Sequence, residues 1–209
     1  FFLADVVGLG KTITAAMIAK KFILENGKDD TKILVVYPPA VAENWKTTFK
    51  DFDIDKYSKF ISNGSLKKVL DEDDVNYWNA DEYDLIIVDE AHKFRNHESG
   101  MFELLQEICK MPRTGSGNIK GLKKKVMLLS ATPMNNSPED LYYEIQLFQD
   151  ARRCTIDGVP NLSSIFNEWI KQFKQFKNHN LPLGKYLKSS ERVREKVIKP
   201  ITVRRTRTD

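Results

Sequence analysis

The sequence predicts an α/β fold: a mostly parallel central sheet with helices on both faces and a helical appendage toward the C-terminus. Short β-branched runs alternate with longer segments of helical period, which is the rhythm of a parallel sheet covered by helices. Three of those runs, KILVVYP (32–38), YDLIIVDE (83–90) and KVMLLSATP (125–133), stay almost continuously apolar until they end in polar or special residues. Such runs suit strands buried on both faces. With 209 residues, 41% of them hydrophobic and 12 of them Phe, the chain can bury one sizeable core and a small appendage.

Taken in order, FFLAD (1–5) reads as a strand that feeds a glycine-bearing turn. The helix after Thr12 carries Ile13, Met17 and small alanines on a broad apolar surface, and Gly27 with the following KDD supplies its stop. In 40–52, Val41, Trp45, Phe49 and Phe52 recur at helical spacing, as do Met101, Leu104, Leu105 and Ile108 in 101–108. Both sets read as core stripes with no chemical role. Ser137, Pro138, Glu139 and Asp140 read as an N-cap, a proline at the first helical position and acids in the first turn; Leu141, Ile145 and Phe148 then face inward. A further helical group starts near Ser163 with Ile165, Phe166, Trp169, Ile170, Phe173 and Phe176, and a shorter one follows Ser189 and Ser190 with Val193 and Val197. PITVRR (200–205) returns to strand character, and PRTGSGNIKG (112–121) reads as a mobile loop. The organisation is therefore a core over 1–150, a helical appendage over 151–199, and a return strand over 200–209.

No apolar run is long enough to span a bilayer, and no secretory pattern stands at the start, so no membrane partner is expected. The first residue is Phe rather than Met, which leads us to expect a piece of something longer. Cys109 and Cys154 lie far apart without a CxxC partner, pointing to a reducing intracellular compartment. Of His92, His97 and His179 only His92 sits in a motif, and no metal site built by protein alone is expected. Lys and Arg number 33 against 29 Asp and Glu, a weak global footprint for nucleic acid. The bases gather at KGLKKK (120–125), KQFKQFK (171–177) and RRTR (204–207), the acids at DEDD (71–74). Each basic run alone is more often a solvated face than a nucleic-acid contact.

The chemistry is expected at the carboxyl edge of the sheet. Phosphate oxygens need several converging donors, and a glycine-rich strand-to-helix turn supplies backbone N–H groups with no Cβ in the way. DVVGLGKT (5–12) fits: Gly8 and Gly10 open the turn, Lys11 reaches the β- and γ-phosphates, and Thr12 offers a hydroxyl to Mg²⁺. The generic pattern places a glycine where this chain has Asp5. LIIVDEAH puts Asp89 and Glu90 at the end of a buried strand, where open α/β sheets bind ligands. Asp89 can hold Mg²⁺ through water while Glu90 orients and deprotonates the attacking water. LLSATPMNN (128–136) exposes the hydroxyls of Ser130 and Thr132 at the same edge, within reach of His92 or the acids.

LADVVGLGKT, VVYPPAVAENW, DEAH, LSATPMNN and the terminal RRTRTD occur in the order and approximate spacing of the first RecA-like lobe of superfamily-two helicases, and the chain resembles the Swi/Snf-type DNA translocases specifically. The resemblance implies a RecA-like P-loop NTPase lobe that binds ATP and Mg²⁺ through Gly8, Leu9, Gly10, Lys11, Thr12 and Ile13, with Asp89 and Glu90 as the magnesium and water-activating pair. It implies nucleotide coupling through His92, Ser130 and Thr132. PPAVAENW is similar to the family's DNA-tracking motif, with Asn44 and Lys46 as contacts to a double-stranded DNA backbone. Val6 stands where the family often has an acid, and SAT replaces the TGT frequent in chromatin remodellers, which favours a bacterial cytoplasmic relative over a nuclear one. The adenine-reading segment upstream of Phe1 and a second RecA-like lobe with arginine fingers are expected elsewhere in the polypeptide. Two alternatives stay open: a motor subunit of a restriction or defence system with a nuclease elsewhere, and a nucleotide-dependent scaffold without turnover.

Overall fold

The computed structural model describes residues 1–4, 10–27, 30–95, 99–114, 123–130 and 137–203. Six strands pair in one sheet in the order β3-β2-β4-β5-β1-β6, and every pairing is parallel. They are β1 (Phe2–Leu3), β2 (Ile33–Tyr37), β3 (Ser58–Ser62), β4 (Leu85–Val88), β5 (Lys125–Leu129) and β6 (Thr202–Val203). Every residue of β1, β2 and β4 is buried, which explains why those segments read as unbroken apolar runs. Alternate residues feed opposite faces, as the pleat requires. Leu34, Val36, Ile86 and Val88 enter one cluster with Phe102, Leu105, Leu141, Ile145, Phe166 and Trp169. Ile33, Val35, Leu85 and Ile87 enter the other with Ala15, Ala16, Ala19, Trp45 and Phe49.

The first cluster is covered by α3 (Gly100–Lys110), α4 (Pro138–Gln146) and α5 (Leu162–Lys177), the second by α1 (Lys11–Asn26) and α2 (Ala42–Asp51). Fully burying one large aliphatic or aromatic side chain contributes roughly 1.5–3 kcal/mol, so two faces filled this way dominate what holds the lobe together. α5 joins the core through Phe166, whose ring stacks on Tyr142 of α4 at 5.0 Å between centroids. α6 (Leu183–Val193) returns along α5, passes through a π-helical turn over Arg194–Ile198, and ends in the short α7 (Lys199–Ile201) before β6.

Several expectations need correction. α6 begins at Leu183, so Ser189 and Ser190 lie inside it rather than before it; Pro182 ahead of its first residue is the stronger start signal. β6 starts only at Thr202, because the helical turn runs on through Ile201; Arg204 and Arg205 of the expected strand lie outside the described residues. β3 was not anticipated: SKFIS has neither a continuous apolar run nor a strict alternation, and it lies at the sheet edge, partly buried. In α1 the alanines and Ile23 are buried, whereas Ile13 and Met17 are more than half exposed; the helix lies close enough to the sheet that only small side chains fit beneath it. Ser137 precedes α4, but its side chain makes no capping bond and instead hydrogen-bonds the Glu139 carboxylate.

The amino edge of the sheet is held by a buried ion pair. Arg113 Nη1 lies 2.9 Å from Asp84 Oδ1, and Asp84 Oδ2 accepts from the Lys32 backbone N–H at 2.8 Å. Lys124, also buried, donates to the Met111 carbonyl at 2.6 Å. Two cations of the 112–125 stretch are thus spent on structure, at the edge opposite the predicted chemistry.

Candidate active site

The sheet order decides which motifs meet. β5 lies between β4 and β1, with Val88 opposite Leu128 and Leu3 opposite Leu129. Their carboxyl ends therefore stand side by side at one level: Asp89 after β4, Ser130 after β5, and the turn to α1 after β1. Ser130 donates its backbone N–H to the Leu3 carbonyl at 3.3 Å, and its side chain is fully buried.

Gly10 begins α1 in the left-handed region, at φ 68°. An L side chain adopts that conformation at a cost, which is the local reason for glycine directly before Lys11. The Gly10 carbonyl accepts from the Thr14 backbone at 2.9 Å and from its hydroxyl at 3.2 Å. The first turn of α1 carries no acid, so no side chain of its own offsets the positive end of its dipole at the carboxyl edge of the sheet. Lys11 and Thr12 stand in that turn, partly exposed. The Ile13 side chain points outward, 52% exposed, so its place in such a site is its backbone. Gly8, Leu9 and Thr132 lie outside the described residues.

Asp89 is held at both oxygens. Its Oδ2 accepts from the Trp45 indole N–H at 2.9 Å, and its Oδ1 from the Glu90 backbone N–H at 2.9 Å. Its own N–H donates to the Val36 carbonyl at 2.8 Å, continuing the β2–β4 ladder by one residue. Burial pushes its carboxyl above the ordinary range and the neighbouring Glu90 charge adds to this; the indole bond and the Lys11 ammonium pull the other way. Neighbouring residues of α2 reach both sides, Asn44 the Thr12 hydroxyl at 3.4 Å and Trp45 the Asp89 carboxylate at 2.9 Å, so the start of α1 and Asp89 lie at the same edge of the sheet.

Glu90 is left-handed, at φ 51° and ψ 50°. A non-glycine residue held there costs on the order of 1–3 kcal/mol, and such strain gathers at functional sites. The bend starts the helical turn Ala91–Phe94 and brings His92 Nδ1 to 3.1 Å from Glu90 Oε2. That contact is an ion pair only when the imidazole is protonated. Its direction is off the hydrogen-bonding axis, and Nδ1 has no aligned partner among the described residues. His92 therefore faces Glu90.

α2 brings a contact that periodicity did not signal. Trp45, read above as pure core, is fully buried, yet its N–H reaches the acid. Asn44, one residue earlier and expected on DNA, points its Nδ2 to 3.4 Å from Thr12 Oγ1. Lys46 is exposed and lies 3.8 Å from Glu43. A buried indole must find an acceptor, and a tryptophan just after a sheet edge that also bears an acid was the available signal.

A further concentration of positive charge lies on the C-terminal helices. Residues 162–199 hold nine Lys and Arg against three acids, on α5, α6 and the turns after them. Lys174 of this group is paired with Glu139 at 2.8 Å. Among the described residues no helix is long and apolar enough to cross a membrane.

Comparison with known proteins agrees with this geometry. The family model described as "Type III restriction enzyme, res subunit" matches residues 1–135. The uncharacterized ATP-dependent helicase YqhH of Bacillus subtilis is 27% identical over 164 residues, covering 70% of this chain and 26% of that protein. The probable ATP-dependent DNA helicase CHR12 of Arabidopsis thaliana is 29% identical over 192 residues, covering 80% of this chain and 15% of its own length. The chain thus spans about a quarter or less of these curated relatives. The SWI2/SNF2 ATPase core of Sulfolobus solfataricus, solved in complex with dsDNA, matches 100% of this chain and 40% of its own with a TM-score of 0.63 at 17% identity. The Hef helicase domain of Pyrococcus furiosus matches 95% and 50% with a TM-score of 0.52 at 15% identity. These two likenesses bear out the RecA-like fold, and the helicase relatives bear out the Swi/Snf resemblance.

Proposed function

The chain belongs to the family of the type III restriction enzyme res subunit, and from that premise we propose that it is the ATP-binding lobe of a motor that couples ATP hydrolysis to translocation on double-stranded DNA. The observation that carries the reading is that adjacent residues of α2 reach both parts of the motif pair, Asn44 the Thr12 hydroxyl at 3.4 Å and Trp45 the Asp89 carboxylate at 2.9 Å, with Lys11 next to Thr12 at that sheet edge. Helix dipole, backbone amides and ammonium form a site for a polyphosphate. A hydroxyl and a carboxylate beside it are hard oxygen donors of the kind magnesium takes. Thr12 would hold the ion directly and Asp89 through water; when bound it neutralises charge on the β- and γ-oxygens. Glu90 orients and deprotonates the water that attacks, and His92 at 3.1 Å from Oε2 restrains that carboxylate. Ser130, tied to Leu3, links the segment after β5 to the strand that feeds the phosphate turn.

Transition-state charge in such a site is stabilised by arginines from a second lobe, worth roughly three to five powers of ten in rate. This chain alone is therefore expected to bind nucleotide weakly and to turn it over barely, and the intact protein to step along DNA through phosphate contacts with little sequence preference. The family description favours one alternative, the motor subunit of a restriction assembly with a nuclease elsewhere. Lys11, Asp89 and Glu90, all present together, weigh against a scaffold without turnover. The deciding test is ATP turnover by the full-length protein with and without duplex DNA. Stimulation that disappears in Lys11→Ala supports the motor; no stimulation removes it. A strand-displacement assay then separates translocation from unwinding.

A further inference from the structure

We propose that the first turn of α2 positions the two magnesium-side ligands, Trp45 setting the carboxylate of Asp89 and Asn44 the hydroxyl of Thr12, so that this segment governs the metal-dependent part of nucleotide binding. The inference rests on the functional reading above and goes beyond it, because neither residue touches the nucleotide in that reading.

Trp45 has no freedom to serve another acceptor. Its side chain is fully buried, its ring lies 5.7 Å from that of Phe49, and indole carries one donor and no acceptor. Packing therefore fixes where the N–H points, and it points at Asp89 Oδ2 at 2.9 Å. With Oδ1 taken by the Glu90 backbone, the carboxylate is held in one rotamer, and each oxygen keeps a lone pair for a metal-bound water. A hydrogen bond to a charged group is among the stronger ones in proteins. Asn44 sits on the same turn, is exposed, and reaches Thr12 at 3.4 Å, a longer and weaker contact. The Thr48 hydroxyl anchors the Asn44 carbonyl from one turn ahead at 2.7 Å. Displacing α2 would shift both ligands together and leave the backbone amides of the phosphate turn in place.

The test measures the affinity of this chain for a fluorescent ADP analogue with and without Mg²⁺. Trp45→Phe keeps the ring and deletes the donor. The gain in affinity that Mg²⁺ confers is expected to fall about tenfold, while the metal-free affinity, carried by Lys11 and backbone amides, stays as in the wild type. Asn44→Ala is expected to lower the same gain about twofold. An unchanged gain in both variants overturns the inference, and so does an equal loss with and without metal, which would mark a merely structural role. Absence of any magnesium-dependent ADP binding by the wild type, with Lys11→Ala indistinguishable from it, overturns the functional reading and this inference with it. Should Trp45→Phe fail to fold, the ¹⁵N indole signals of the three tryptophans decide. One is expected to move both on adding Mg²⁺ and ADP and in Asp89→Ala, and no such signal refutes the coupling.

Discussion

Replacing Glu144 by glutamine is expected to stabilise the lobe at neutral pH and to do nothing in acid. Glu144 lies on α4 with 0% exposure, and neither carboxylate oxygen has a hydrogen-bond partner among the described residues. Burial pushes its pKa up from 4.5 to about 9; the Asp140 charge adds to the rise and Arg95 opposes it. The folded state therefore holds a proton between pH 4.5 and about 9 that the unfolded chain has released. In that window the folded form binds more protons, so stability falls as pH rises, and the contribution is complete only below 4.5. At pH 7 the gap is 7 − 4.5, or 2.5 units, which at 1.36 kcal/mol per unit makes about 3 kcal/mol. Total stability is on the order of 5–15 kcal/mol, so the effect is large. Glutamine fills the same space and does not titrate. Urea denaturation followed by tryptophan fluorescence should show Glu144→Gln about 3 kcal/mol more stable at pH 7, more so at pH 8, and equal to the wild type near pH 4. A difference independent of pH would mean that Glu144 is ionised in the folded state, and would refute the reasoning.

Three further outcomes follow from the same structure. Arg113→Met should destabilise by about 3–5 kcal/mol, because it leaves Asp84 buried without its partner; Asp84 already sits above the ordinary carboxyl range through burial, so urea melts should show a larger loss at pH 8 than at pH 5. Glu90→Gly should raise stability by about 0.5–1 kcal/mol by relieving the left-handed backbone, and should abolish DNA-stimulated ATP turnover in the full-length protein; a gain without loss of turnover would deny Glu90 its role. Lys11→Ala should weaken nucleotide binding at least tenfold, as expected when a charged hydrogen bond is removed, with an unchanged melting temperature, which calorimetry and anisotropy check together.

The sheet was legible because its central strands are buried on both faces, and a strand with no solvent side must be apolar throughout. The edge strand β3 was not, since partial exposure of Lys59 and Ser62 and a buried Ser58 bonded to the Ile54 carbonyl break the apolar pattern. α6 was misplaced for a related reason: its exposed Leu183 and Leu187 do not mark a buried stripe, while the buried Val193 and Val197 drew the helix toward the C-terminus. The position of Asp89 and Glu90 was readable because a buried apolar strand that closes on two acids marks its own carboxyl end. Trp45 was not, because hydrophobic period assigns an aromatic side chain to the core and says nothing about where its one polar atom points. Arg113 and Lys124 show the converse. A basic stretch looks like a solvated face until the sheet brings an acid or a carbonyl beneath it.

The two edges of the sheet divide the work. At the amino edge Asp84 is held by Arg113 and the Lys32 backbone N–H, and Lys124 by the Met111 carbonyl, contacts that serve the fold. The carboxyl edge is arranged in the opposite sense, with a buried Asp89, a left-handed Glu90 and the amino end of α1 gathered there. Burial of Asp89 and the positive amino end of α1 each carry a cost that, on the proposed function, a polyanion bringing its cation would offset. Binding N and not U stabilises by mass action, so nucleotide with magnesium should raise the melting temperature of this chain more than either alone. The excess should shrink in Asp89→Ala, which also frees the Trp45 indole, but persist in Arg113→Met, whose defect lies at the far edge. An equal shrinkage in both variants would show that the edges are one cooperative unit and that the division drawn here is false.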